Sequence, residues 1–379
     1  MDFSPSPEQE AFRRVVREFA EAEIAPHAAA WDRAAEFPID TVRKMGELGL
    51  FGLPFPEDYG GMGADFATFC IAVEEIARVD SSMAITLEAA VGLGVNPIHR
   101  FGSEEQKQRW LPDLLHGRAL AAFGLTEPDG GSDAAATRSK AEQDGDEWVL
   151  NGEKAFITNS GTAITSLIIV TALTGPDEIS ALIVPTGTPG LEVGAAYHKM
   201  GWRASDTHPV RLEDCRVPAD AMLGERGQGL RQFLAILDEG RIAIAAMSVG
   251  VAQACLDHSL SYAKEREAFG RPIGANQAVA FRISDMQVAV DAARLLTQRA
   301  AWLRDHGQDH RAAAAKAKLF ASEAAVTATR QATQVFGGSG FIDDTPVSRF
   351  YRDAKILEIG EGTSEIQRLL IARDLGLPL

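Results

Sequence analysis

Cysteine is scarce in this chain: Cys70, Cys215 and Cys255 are the only three among 379 residues, widely spaced and without a CxxC pair. That argues against a disulfide framework or a thiolate metal site, and it suits a reducing compartment. Positive charge is also short, with 37 Lys and Arg against 53 Asp and Glu and a net charge of -16. General binding to nucleic acid needs local positive charge and is disfavoured; a small anion held by a few Arg or Lys is not. No apolar run reaches membrane-spanning length. The opening residues, Met1-Asp-Phe-Ser-Pro-Ser-Pro-Glu8, have neither a basic nor an apolar leader segment, so a cytoplasmic protein is expected. A GxGxxG after a strand, a P-loop, an HExxH and a nucleophile elbow are all missing, which removes support for nicotinamide, nucleotide-triphosphate, zinc-protease and hydrolase chemistry. The eight histidines show no paired ligand spacing on one helix face, and no metal is expected.

What is present is the composition of a soluble globular protein, 46% hydrophobic and 24% charged. The length allows two or three packed units, since single cores stop growing at roughly 250 to 300 residues. Phe12, Val15, Val16, Phe19 and Ile24 recur at helical spacing, and Pro26 ends or kinks that helix. Similar patterns run over Thr41 to Leu50, Phe66 to Val79 and Met83 to Phe101, and Ser103-Glu-Glu-Gln106 is a capping box that starts one more helix. From Ala119 to about Gly224 short apolar runs alternate with turn signals such as Asp144-Gly and Asn151-Gly. No helix-sized segment separates these strands, so an antiparallel sheet is expected. Long helical runs return at about Leu230 to Arg266, Asn276 to His306 and Arg311 to Phe336. The expected fold is mixed α and β, mainly α. It comprises an N-terminal helical domain (1–118), a middle antiparallel β domain (119–225) and a C-terminal four-helix bundle (226–379).

Three polar, glycine-rich segments carry the candidate chemistry. Phe123-Gly-Leu-Thr-Glu-Pro-Asp-Gly-Gly-Ser-Asp133 is either a plain hairpin loop or a backbone nest for electron-rich ring atoms. In Asn151-Gly-Glu-Lys-Ala-Phe-Ile-Thr-Asn159, period-two alternation puts Phe156 and Thr158 on one strand face, where a flat ring could pack. In Ile359-Gly-Glu-Gly-Thr363, Glu361 is either a solvated turn residue or a positioned base next to a ligand.

Together and in order, these segments resemble the acyl-CoA dehydrogenase family of flavoproteins over essentially the whole chain. The likeness rests on Leu125-Thr-Glu-Pro with Gly131-Ser-Asp, Phe156-Ile-Thr-Asn and Lys199-Met-Gly-Trp-Arg-Ala-Ser-Asp-Thr. It continues through Arg216-Val-Pro, Leu223-Gly-Glu, Arg266-Glu-Ala-Phe-Gly, Gln334-Val-Phe-Gly-Gly-Ser-Gly and Tyr351-Arg-Asp-Ala-Lys to Glu361-Gly-Thr-Ser-Glu-Ile-Gln-Arg.

The resemblance implies FAD as cofactor and a homotetramer, a dimer of dimers in which a neighbouring subunit completes each flavin site. Phe123, Leu125, Thr126, Gly131, Ser132, Phe156, Ile157 and Thr158 would hold the isoalloxazine, with Thr158 near N5 and Phe156 standing where Trp is common. Arg266, Phe269 and Gln277, with Gln334, Val335, Gly337 and Gly338, would take the pyrophosphate and adenosine end; without the resemblance Arg266 reads as a helix-surface residue in an i,i+4 pair. Thr363 and Glu365 would close over the flavin. Glu361 would be the base that takes the α-proton of an acyl-CoA thioester, its backbone N–H and a ribityl hydroxyl binding the thioester oxygen. Hydride would leave for flavin N5, giving a trans-2-enoyl product, with an electron-transfer flavoprotein as acceptor.

Some relatives carry the base instead on the helix after the β domain, where this chain has Gly240; Glu239 beside it points about 100° elsewhere. Asp238, Arg241, Ser132, Gly360 and Gly362 would meet the substrate. Gly360 replaces a bulky Tyr common in the family, which suggests a short or branched acyl group. Glu88 aligns with a helix bordering the acyl pocket and equally reads as a solvated helix residue. Two other functions remain open: an oxygen-using acyl-CoA oxidase or flavin monooxygenase on the same fold, and a catalytically weak relative associated with nucleic acid.

Overall fold

The computed structural model describes residues 5–378, so the leader-free reading of Met1–Ser4 and the outermost domain ends lie outside the described residues. Seven helices open the chain: α1 (Pro7–Phe19), α2 (Ala28–Ala34), α3 (Ile39–Glu47), α4 (Phe66–Ala77), α5 (Ser81–Glu88), α6 (Asn96–Phe101) and α7 (Glu104–Leu115). The expected capping box starts α7, where Gln106 N–H donates to Ser103 Oγ at 3.2 Å. A second box, Ser6 with Gln9, starts α1. The single helix expected over Met83 to Phe101 is divided by a π-helical turn, Ala89–Val95, between α5 and α6. Such wide turns are invisible to apolar periodicity and concentrate at functional sites.

The middle part is built from β1 (Leu120–Gly124), β2 (Lys140–Asp144), β3 (Glu147–Thr158), β4 (Thr165–Gly175), β5 (Glu178–Pro185), β6 (Leu191–Val193), β7 (Thr207–Pro218) and β8 (Met222–Leu223). They run in the order β6-β7-β3-β2-β4-β5-β8 with β1 added on β4. Most pairs are antiparallel, but β1 lies parallel to β4, from Leu120 opposite Thr165 to Gly124 opposite Val170. The β2–β3 hairpin, not a helix, makes that crossover, which is why the spacing of helical segments did not reveal it. Trp148, Leu150, Ile168, Val170, Leu182 and Val217 fill a core of its own inside the sheet.

Beyond the sheet come α8 (Gly229–Glu265), a small hairpin of β9 (Glu267–Ala268) and β10 (Arg271–Pro272), α9 (Gln277–Asp305), α10 (Arg311–Phe336), α11 (Pro346–Ala354) and α12 (Ser364–Asp374). The bundle is α8, α9 and α10 with the shorter α12 packed on α10. Its apolar faces share one core with α4 and α5 of the N-terminal part. At 1.5 Å per residue, the 37 residues of α8 span about 55 Å, so one helix reaches from the junction of the three parts to the far end of the bundle.

A buried carboxylate pins that junction. Asp353, at the end of α11, accepts from Ser81 Oγ of α5 and from the backbone N–H of Trp202, both at 2.8 Å. Burial and the nearby Asp80 push its carboxyl up to about 6. Beside it Arg352 grips Asp32 of α2 through both terminal nitrogens. The Lys-Met-Gly-Trp-Arg and Tyr-Arg-Asp-Ala-Lys segments therefore serve to lock three structural units together. No helix of the described residues is long and apolar enough to cross a membrane.

Candidate active site

After α11 a 3-10 turn, Lys355–Glu358, delivers the chain to Gly360-Glu361-Gly362, and Thr363 caps α12 by accepting from Ile366 N–H at 3.3 Å. Glu361 is held at φ 53 and Gly362 at φ 95. The left-handed region costs a non-glycine residue about 1–2 kcal/mol, so the surrounding contacts must impose it. Lys318 Nζ and Gln367 Nε2 both donate to the Gly362 carbonyl at 2.8 Å. Gln367 also reaches the Glu361 carbonyl at 3.4 Å. Both side chains are completely buried. A glycine is required at 362, because a Cβ there would lie 2.8 Å from Gln367 Nε2 in addition to the backbone strain.

The Glu361 backbone is half-buried, yet both of its carboxyl oxygens are sealed from water and accept no hydrogen bond from any N–H of the described residues. The carboxyl lies against α8 at Gly240, where an added Cβ would fall 2.0 Å from Oε2. The position at which some relatives carry the base is thus filled here by the side chain of the other candidate. Glu239 is turned away as helix geometry requires: Arg100, Arg304 and Asn96 hold it at 2.9, 3.2 and 3.2 Å.

Burial raises the Glu361 carboxyl above the usual range, while the adjoining Glu88 carboxyl and the charges of Arg241 and Lys318 pull it part of the way back. Burial lowers the Lys318 ammonium to about 8, against the attraction of Glu361. Arg241 is buried and paired with Asp238 on the same helix face. Glu88 is completely buried at the end of α5, not a solvated helix residue. The structure thus brings Glu361, Gly362, Arg241 and Asp238 together, with Gly360 half-buried on the same loop.

The expected ring-holding residues come from β1, β3 and the loop between β1 and β2. Phe123 stacks on Phe233 of α8 with centroids 3.8 Å apart. Thr126 is tied to β3 by Ala155 N–H donating to its carbonyl at 2.9 Å. Within β3 a register shift against β7 between Lys154 and Ile157 makes a bulge, and Phe156 sits on it at φ 61, its ring 65% exposed. Ile157 is buried and Thr158 half-buried, while Gly131 and Ser132 lie exposed in the loop. Buried Lys154 donates to Glu127 at 2.7 Å, and Glu127 also takes the backbone N–H groups of Arg138 and Ser139 at 2.7 and 3.1 Å. Burial pushes the Glu127 carboxyl up, but those donors outweigh it and hold it below its ordinary value. The pair fastens the loop to the sheet and so sets the backbone of Leu125 and Thr126.

The remaining expected residues lie elsewhere. Tyr262 of α8 stacks on Phe336 of α10 with centroids 4.2 Å apart, so Arg266, Phe269 and Gln277 share the far end of the bundle with Gln334 to Gly338. Arg266, Gln277, Gln334, Gly337 and Gly338 are exposed there, and Val335 is buried. Phe269, at the hairpin tip with φ 56, is 97% exposed. From Arg241 to Arg266 is 25 residues of helix, about 37 Å. Glu365 is exposed on the first turn of α12.

Lys318, Gln367 and the burial of Glu88 were not found by sequence reasoning. Lys318 stands in an alanine-rich helix that reads only as a good helix former, and its one signal is a lysine on the apolar face of α10.

A helical, β and helical chain with a sealed carboxyl at the junction, two cations near it and flat apolar surface beside the sheet is suited to removing a proton from carbon in a dry pocket. Family comparison gives the class. The acyl-CoA dehydrogenase N-terminal domain matches residues 6–118, the middle domain 122–215 and the C-terminal domain 227–376. The chain belongs to the acyl-CoA dehydrogenase family and is an oxidoreductase acting on a CH–CH group. It is 53% identical to the probable acyl-CoA dehydrogenase YngJ of Bacillus subtilis over 380 residues, 99% of this chain and 100% of that one. It is 45% identical to the mitochondrial short-chain specific acyl-CoA dehydrogenase of Mus musculus over 365 residues, 96% of this chain and 89% of that one. Among solved structures, butyryl-CoA dehydrogenase from Megasphaera elsdenii matches with a TM-score of 0.96 and 39% identity, over 99% of this chain and 100% of that one. A glutaryl-CoA dehydrogenase from Mycobacterium smegmatis in complex with FADH2 matches with a TM-score of 0.94 and 31% identity, over 98% and 95%.

Proposed function

We propose that the protein oxidises the Cα–Cβ bond of a short or branched acyl-CoA to the trans-2-enoyl thioester, with Glu361 taking the α-proton. The observation that carries this reading is the Glu361 carboxyl itself, sealed from water, without a hydrogen bond from any N–H, and pressed on α8 at Gly240, which has no side chain. A base in such a place is not levelled by solvent, and its raised pKa brings it towards working range. Lys318 and Gln367 hold its loop, so little reorganisation is needed when the substrate arrives. Arg241 and Lys318 favour the ionised base that the reaction requires. The Glu361 backbone N–H is read as a donor to the thioester oxygen as it gains charge. The similarity to short-chain specific and butyryl-CoA enzymes supports the acyl length.

The residues present fit FAD. Phe156 offers an exposed ring on a bulge, half-buried Thr158 a hydroxyl two residues on, and the loop of Leu125, Thr126, Gly131 and Ser132 a polar backbone edge. At the far end, a Cβ at Gly337 or Gly338 would meet nothing within 4 Å, so backbone there can approach a pyrophosphate, and Arg266 suits its charge. FAD, when bound, accepts the hydride from the β-carbon. Phe123 of the ring-holding set packs on Phe233, and from there to Arg266 is about 50 Å along α8, so we read each cofactor site as completed by a neighbouring copy. That supports a homotetramer in the reducing cytoplasm, passing electrons on to an electron-transfer flavoprotein.

The test is anaerobic titration of the holoenzyme with butyryl-, isobutyryl-, isovaleryl- and octanoyl-CoA. The flavin absorbance is expected to bleach with the short thioesters, and Glu361→Gln to slow bleaching by about 10^3-fold, within the ~10^2–10^4 range of general-base catalysis. Protein without flavin, or a Gln variant as fast as the parent, overturns the reading.

A further inference from the structure

Glu88 closes α5 and directly precedes the wide turn Ala89–Val95. It is completely buried, and neither of its carboxyl oxygens receives a hydrogen bond from any N–H or hydroxyl of the described residues. Both oxygens of Glu361 are in the same condition. What the two carboxyls face is each other. The turn leaves room for the Glu88 carboxyl, since a Cβ on Gly92 would come within 2.8 Å of Glu88 Oε1. Two ionised carboxylates cannot share a dry site, so one of them carries a proton.

The surrounding charges decide which. Glu361 feels Arg241 from α8 and Lys318 from α10. Glu88 feels no cation from α5, from the turn after it or from the helices packed against it; burial and Glu361 are all that act on it, and both push its carboxyl well above the ordinary range. The other nearby acids are engaged elsewhere: Asp238 pairs with Arg241, while Glu358 and Glu365 act on Lys318.

We propose that Glu88 is a positioning residue for the base, a neutral carboxylic acid whose O–H donates to the Glu361 carboxylate and keeps it both ionised and aimed at the face of α8. The proposal rests on the reading of Glu361 as base. The Glu88 proton is not consumed: the α-proton goes to Glu361, and Glu88 stays neutral throughout. A donor to the ionised form favours ionisation, so removing it raises the titration of Glu361, whereas removing an ionised neighbour would lower it. The direction of that change separates the two possibilities.

The experiment uses FAD-loaded wild type, Glu88→Gln and Glu88→Leu. Infrared spectra of protein labelled with 13C-glutamate are recorded at neutral pH, where the wild type is expected to show the carbonyl stretch of a protonated glutamic acid and Glu88→Gln to lack it. The pH dependence of flavin reduction by butyryl-CoA gives the second readout. In Glu88→Leu the acid limb is expected to move to higher pH by about one unit. In Glu88→Gln, whose amide still donates, it is expected to stay near that of the wild type. No protonated band in the wild type, or an acid limb in Glu88→Leu that is unmoved or moved to lower pH, overturns the proposal. Should Glu88→Leu fail to fold, the band and the Gln profile decide, a Gln limb shifted to lower pH counting against it. A wild-type rate in Glu361→Gln would sink the assignment of the base and leave the protonated band standing, so the two failures are distinguishable.

Discussion

The two ends of α8 differ as the inside and outside of a protein do. Near Arg241 the side chains that meet the base are buried: Lys318 and Gln367 on the base loop, Glu88 beside the base, and Arg241 itself paired with half-buried Asp238. Near Arg266 the corresponding residues lie in the open, with Phe269 97% exposed and Phe341 91% exposed. Large aromatic side chains left bare on a rigid hairpin or turn are features of surfaces that meet another surface. On the proposed reading, the buried end serves the acid–base chemistry and the open end serves the contact with cofactor and neighbouring copy.

The sharpest way to break this contrast is at the buried end. Gly240→Ala puts a methyl 2.0 Å from the present position of Glu361 Oε2, so the carboxyl has to move. Overpacking of this kind costs about 1–3 kcal/mol in stability. A displacement near 1 Å is expected to lower the rate of flavin reduction by about 10^2-fold. FAD content should be unchanged, because the exposed end is untouched. Single-turnover reduction and the absorbance ratio of flavin to protein check both statements, and a parental rate would mean that the base does not work from its place against α8.

The complementary change is at the open end. Phe269→Ala removes a ring that the isolated protomer does not bury, so helix content should stay the same. If the ring is an anchor for a neighbouring copy or its cofactor, its loss costs about 1–2 kcal/mol or more, equivalent to roughly tenfold weaker retention of FAD or of the assembly. Flavin release on dilution and sedimentation velocity measure it. Unaltered retention and unaltered mass would show that this end is simply exposed.

How much of this could be read from the sequence divides along the same line. The helical and β textures were plain because their periods are local, and the capping box at Ser103 placed α7 correctly. The parallel β1–β4 pair was missed because its crossover is a hairpin, and the Ala89–Val95 turn because a π-helical turn leaves apolar spacing almost unchanged. Glu361, Gly362 and Arg241 were singled out through motif order, and the structure brings them to one place. Glu88 and Lys318 were not assigned roles, since a carboxylate after Leu87 and a lysine among alanines look like surface residues until distant helices close over them. Burial of charge is a long-range property, and neither pattern nor propensity records it.

Gly360 offers the smallest effect and the finest test of the buried end. Unlike Gly362 it lies outside the left-handed region, and a Cβ there would touch only the Ile356 carbonyl at an ordinary 3.5 Å. The position therefore tolerates a side chain, and its absence leaves room next to the base. Gly360→Tyr should leave stability unchanged or slightly raised, because the unfolded chain loses freedom without strain in the folded one. Its ring should instead compete with a substituent near the α-carbon of the substrate. A site that excludes one or two methyl groups discriminates by about 1–3 kcal/mol. The ratio of kcat/KM for isobutyryl-CoA to that for butyryl-CoA should accordingly fall about tenfold, with the loss on the branched side. An unchanged ratio would mean that the space beside Gly360 is not where the acyl group lies, and would move the search for selectivity to the walls formed by α5 and the turn after Glu88.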